Sequence, residues 1–78
     1  MSTIPLSALT PGQSASLVGC EFMPKAMHLR LQELGFIPGT RVTCLYESPL
    51  GDPCAYRVPD GVFALRARDA CRILVQCP

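Results

Sequence analysis

The sequence predicts a mostly β domain: a small five-stranded barrel with one α-helix inserted after the first strand and a short helical turn before the last strand. Three observations carry that expectation. From Thr40 onward the apolar residues recur with a period of two. A single stretch, residues 24–35, carries a helical stripe instead. Turn dipeptides rich in proline and glycine separate the apolar runs at short intervals, and short strands that close on one another are how a small β protein removes exposed edges.

Taken in order, Leu6 and Leu9 lead in and tuck onto the body, and Thr10-Pro11-Gly12 forms a turn. SASLVGC, residues 14–20, is the first strand, with Ala15 and Leu17 on one face. Pro24 opens the helix where a missing N–H costs nothing. Met27, Leu31 and Leu34 follow at i, i+4 and i+7, and Gly35 sits where a left-handed residue ends a helix. TRVTCLYE, residues 40–47, is a strand with Val42, Cys44 and Tyr46 on one face; CAYRV, residues 54–58, is its antiparallel partner. Pro59-Asp60-Gly61 turns into VFALR, residues 62–66. A helical turn over residues 68–71 precedes the last strand, residues 72–76, with Ile73 and Val75 inward.

Seventy-eight residues make one domain, residues 1–78. A chain this short buries only about 60% of the surface it exposes when unfolded, too little for a deep catalytic cavity. Seven Lys/Arg against six Asp/Glu give a formal charge of +1. Nucleic-acid binders draw most of their affinity from a basic excess, so nucleic acid is not the expected partner, and a small-barrel RNA binder is the disfavoured third reading. The five cysteines show no CxxC spacing, and the first residues lack the charged and apolar regions of a secretory signal. A cytoplasmic protein with reduced thiols is expected, most of them apolar filler in or near the core. No stretch approaches the ~18 apolar residues of a membrane span. Phe22, Met23 and Met27 are likewise expected as core filler.

The motif SPLGDP, residues 48–53, joins two strands. Turn chemistry accounts for most of it: Gly51 supplies conformational freedom, Asp52 can close an Asx turn, and Pro49 and Pro53 stiffen the ends. It does not account for Leu50, an apolar residue at the tip of a stiff turn. A loop stiffened in advance loses less entropy on docking. Leu50, Gly51, Asp52 and Pro53, with an exposed Tyr46 or Tyr56 nearby, are therefore the candidate partner-binding residues.

RLQELGFIPGTRVTCLYESPLGDPCAYRV, followed by FALRARDACRILV, resembles the ferrous-iron transport protein A (FeoA) family. The pattern rests on Arg30, Leu31, Leu34 and Gly35, on Pro38, Gly39 and Val42, on the run Pro49 to Pro53, and on Ala64, Leu65, Arg66, Asp69, Ala70 and Ile73. It covers roughly residues 12–76. The resemblance implies an SH3-like barrel. It also implies a non-enzymatic role as a cytosolic accessory protein of bacterial ferrous-iron uptake, a partner of the large transporter subunit at its cytosolic GTPase portion. The membrane is then met only through the transporter. This chain departs from the family in residues 20–24, where many members carry glycines, and at Cys44, a position usually β-branched.

The alternative function is a metal-responsive regulatory module. No cofactor is required by the transport role; a divalent metal is the ligand of the alternative, with His28, Glu21 and Cys20 as candidates. A zinc site wants about four ligands, which one chain does not offer at any visible spacing, whereas a homodimer could pool two from each copy. Arg66, Arg68 and Arg72 cluster near the last helical turn. They are expected as a solvated face balanced by Asp69, with attraction to an acidic partner as the second reading. Neither a phosphate-binding G-x-x-x-x-G-K-[ST] nor a G-x-S-x-G elbow occurs, so an enzyme is not expected.

Overall fold

Among the described residues six segments become strands, one more than the sequence pattern predicts. The computed structural model describes residues 2–21 and 23–77; Phe22 lies outside them. The elements are β1 (Ser2–Pro5), a 3-10 turn (Leu6–Ala8), β2 (Ser14–Cys20), α1 (Lys25–Glu33), β3 (Arg41–Glu47), β4 (Cys54–Val58), β5 (Gly61–Leu65), α2 (Ala67–Ala70) and β6 (Ile73–Cys77). All the strands join one antiparallel sheet in the order β1-β6-β2-β3-β4-β5. Among the described residues β1 and β5 are its edges, and they are not paired to close a ring.

The added strand, β1, pairs with β6 from Ser2 opposite Cys77 to Pro5 opposite Leu74. Its sequence, STIP, is too short to show a period, and its partner lies at the other end of the chain. Leu6 and Leu9 are buried as expected, so the lead-in both extends the sheet and seals one end of the core.

One hydrophobic core collects Leu17 from β2, Leu31 from α1, Val42 and Cys44 from β3, Tyr56 and Val58 from β4, and Ile73 and Val75 from β6. No charged or polar residue is buried with them among the described residues. Each large aliphatic side chain so buried contributes roughly 1.5–3 kcal/mol against staying exposed. Phe36 and Phe63 pack with ring centroids 6.1 Å apart and planes tilted by 58°, an edge-on geometry that aromatic rings favour.

α1 starts after Pro24, whose carbonyl accepts the first helical bond from the His28 N–H at 3.0 Å. It ends in a Schellman motif. The Gly35 N–H donates to the Gln32 carbonyl at 3.0 Å and the Phe36 N–H to the Leu31 carbonyl at 2.9 Å. Gly35 has φ +100°, the left-handed conformation this motif needs. Leu31 and Phe36, the apolar pair that accompanies the motif, are both buried, and Met27 and Leu34 pack partly against the core.

Two bulges bend the sheet. Between Leu17 and Gly19 the pairing of β2 with β6 slips by one residue, and between Cys44 and Tyr46 the pairing of β3 with β4 slips likewise. The second slip changes the expected face of Tyr46. Val42 and Cys44 point inward as expected, but the extra residue Leu45 breaks the alternation and Tyr46 is 61% exposed.

Candidate functional site

The six residues between β3 and β4 form a turn with an apolar tip. The Gly51 N–H donates to the Ser48 carbonyl at 2.8 Å, and the Ser48 N–H to the Pro53 carbonyl at 3.1 Å, so the segment is bonded across itself twice. Gly51 has φ +82°, and the Asp52–Pro53 peptide is cis. The Cys54 thiol reaches the Gly51 carbonyl at 3.5 Å. The Oγ of Ser48 is buried without a partner among the described residues. Leu50, at the tip, is 94% exposed, the most exposed of the large hydrophobic residues described.

Asp52 points elsewhere. Its Oδ1 accepts the backbone N–H of Ala67, the first residue of α2, at 2.8 Å. The expected Asx turn is thus replaced by a cap on a remote helical turn whose own cap residue, Arg66, makes no side-chain capping bond. The carboxylate also lies near the positive end of that turn. The loop is pinned to α2, and Leu50 is held out from a fixed base.

The two tyrosines part company. Tyr46, on the strand leading into the loop, is exposed, whereas Tyr56, expected beside it on the outer surface, is 1% exposed and belongs to the core. The slip in β3 turns Tyr46 outward, whereas Tyr56 lies on the regular side of it and shares the inward face of β4 with Val58. Tyr56 faces inward because it pairs directly with buried Cys44, while Ala55, the partner of Tyr46, is buried on the other face. Burial first, then the neighbouring Cys54, Cys44 and Glu47, push the Tyr56 phenol well above its ordinary ionisation. Burial pushes up the thiols of Cys44 and Cys20 as well. All five cysteines are free, and these two stay protonated and unreactive near neutrality.

Cys20, Glu21 and His28 are not gathered into a site. Cys20 ends β2 opposite Ile73, and the backbone N–H of exposed Glu21 donates to the Arg72 carbonyl at 2.8 Å. His28 lies half-buried on α1, with its Nε2 3.5 Å from the amide nitrogen of Gln32. Among the described residues, no group of three or more His, Cys, Asp or Glu side chains is placed to hold a metal ion. Nor is any helix among them long and apolar enough to cross a membrane.

Two features escape the sequence. The bond from Asp52 to Ala67 spans fifteen residues and leaves no local signature. Arg30, on α1, joins Arg66 and Arg68 around one hollow, a grouping that only the packing of α1 beside α2 creates.

The FeoA domain profile matches residues 4–77. A protein of Porphyromonas gingivalis, a fusion of Fe(2+) transport protein A with the Fe(2+) transporter FeoB, is 37% identical over 91% of this chain, which spans only 8% of that protein's length. The solution structure of a Chlorobium tepidum FeoA protein superposes with a TM-score of 0.89 at 28% identity, covering 95% of this chain and 70% of that one. Stenotrophomonas maltophilia FeoA complexed with zinc, described as an SH3 domain protein, gives 0.82 at 33% identity, covering 94% and 89%. The expected SH3-like architecture is therefore the observed one, with an extra edge strand, and the chain belongs to the FeoA domain family.

Proposed function

We propose that this chain is a non-enzymatic cytoplasmic accessory protein of ferrous-iron uptake that docks on the large, GTPase-bearing transporter subunit and supports or regulates transport. The observation that carries the proposal is the Porphyromonas gingivalis relative, in which the matching portion and the transporter FeoB are one polypeptide. Two modules joined covalently in one organism act on each other at high effective concentration, and separate chains of the same kind need a docking surface to do so.

Leu50 supplies the contact. It is an apolar knob on a loop bonded across itself and tied to α2, so little order is lost when a partner covers it. Gly51, Pro53 and Tyr46 complete the patch, and Asp52 serves it by holding the base. Direct metal sensing through Cys20, Glu21 and His28 draws no support from their separate placements.

The test is an amide NMR titration of the chain with the soluble GTPase domain of its cognate transporter. Shifts should cluster on residues 46–53. Leu50→Asp should weaken docking by about thirtyfold, from roughly 2 kcal/mol for one buried leucine, with thermal unfolding unchanged. Docking of that variant at wild-type strength would reduce the loop to a corner.

A further inference from the structure

Among the described residues β5 is an edge strand, paired with β4 on one side and with no strand on the other. The two-residue turn Pro59–Asp60 closes its hairpin on Val58 and Gly61. Ladder pairs in an antiparallel hairpin alternate from that closing pair, so Phe63 and Leu65 bond back to β4 while the N–H and C=O groups of Val62 and Ala64 turn to the open side. Edges are usually guarded by charge, proline or cover. GVFAL has no charge and no proline, and among the described residues no loop or turn bonds to the backbone of Val62 or Ala64. The opposite edge, β1, ends in Pro5.

A hollow of about 510 Å³ lies between this strand, α1 and α2, and a second of about 450 Å³ adjoins it between the start of α1 and α2, the two sharing Met27, Arg68 and Asp69. Phe63, Ala64 and Leu65 line the first in succession. Consecutive strand residues point to opposite faces, so a hollow touching all three runs along the edge of the strand. Its other wall is α1, through Met27, Leu31 and Leu34. Arg30, Arg66 and Arg68 stand exposed around it against one carboxylate, Asp69. Among the described residues, none of those three arginines is held in an ion pair. In a chain of formal charge +1 this is a local basic focus over an apolar floor.

We propose that this cleft takes an extended acidic segment of a partner protein, which adds to β5 as a further strand. Alternate side chains of the segment lie over Met27, Leu34 and Phe63, and its carboxylates meet Arg30, Arg66 and Arg68. The backbone groups of Val62 and Ala64 supply the pairing. Met27, unbranched and adaptable, fits the floor to the side chain that arrives. This surface is distinct from the Leu50 loop, and it stands whether or not that loop meets the transporter.

A blocked peptide alternating glutamate with valine or leucine is the probe, titrated into the isotope-labelled chain. Saturable amide shifts are expected on residues 62–65 and 27–34, weakening as salt is raised. Arg66→Glu with Arg68→Glu should lower the affinity by about tenfold, and Arg30→Glu, on the other wall, should lower it without touching α2. Methylating the peptide's pairing nitrogens should abolish binding. Equal binding of the same peptide with lysine for glutamate, shifts confined elsewhere, or no saturable shift would each overturn the proposal. Concentration-dependent shifts of Val62 and Ala64 in the peptide-free chain would assign the edge to a second copy and overturn it too.

Discussion

Replacing Asp52 with alanine removes the acceptor of the Ala67 N–H and frees the loop from α2 at once. The bond is 2.8 Å long, and its carboxylate faces the start of a helical turn that has no capping side chain of its own. Loss of a helix cap costs about 0.5–2 kcal/mol. Both residues are exposed, so water replaces part of the bond, and about 1 kcal/mol is the expected loss. For a domain of this size that lowers the melting temperature by about 4–8 °C. Urea unfolding followed by circular dichroism measures the loss, and hydrogen exchange at Ala67 locates it, since its amide should exchange faster while the strand amides of β3 and β4 keep their order of protection. Asp52→Asn retains an acceptor and should recover more than half of the stability. The same loosening should weaken docking through Leu50 by several-fold, because a freed loop must be ordered again on contact. If alanine unfolds within about 0.3 kcal/mol of the wild type, or asparagine is as damaging as alanine, the bond is incidental and the loop is held by its own turn.

Gly35→Ala should destabilise by about 1–2 kcal/mol, since an L side chain at φ +100° is strained and its Cβ would lie 2.9 Å from Oδ2 of Asp60. Chemical unfolding at neutral pH checks it, and an unchanged midpoint would refute the αL cap. Stability should also fall as pH rises past the ordinary thiol value of 9.0, because Cys20, Cys44 and Tyr56 keep their protons in the fold where the unfolded chain has lost them. Their contribution is complete below that pH. Cys44→Ala should make the alkaline decline shallower in a series of urea titrations, and an identical slope would show that the thiol does not report burial.

Local chemistry is legible in the residues alone. Gly35 announces the end of α1 because a glycine just past a leucine stripe supplies the left-handed residue that closes a helix, and the Schellman bonds at Gln32 and Leu31 agree. Leu6 and Leu9 are apolar in a polar lead-in, so their burial follows. Contacts between distant segments are not legible in the same way. β1 exists because β6 offers an edge, and STIP has no pattern of its own. The face of Tyr46 depends on a slip at Leu45, where one extra residue moves every later side chain across the sheet. The inward turn of Tyr56 depends on which residue of β3 it meets, Cys44, and the partner of Asp52 lies in another element. At the candidate site, the exposed tip follows from an apolar residue inside a turn motif, but its foundation does not.

The pairing of β1 with β6 sets Ser2 directly across from Cys77. A polypeptide joined ahead of β1 and one joined after β6 would leave the domain side by side, from the same margin of the sheet. Swapping a neighbouring module from the front of the chain to the back would therefore keep it close to the same place. The domain can be carried as prefix or suffix, or sewn head to tail and reopened elsewhere, with little change in what its remaining surface presents.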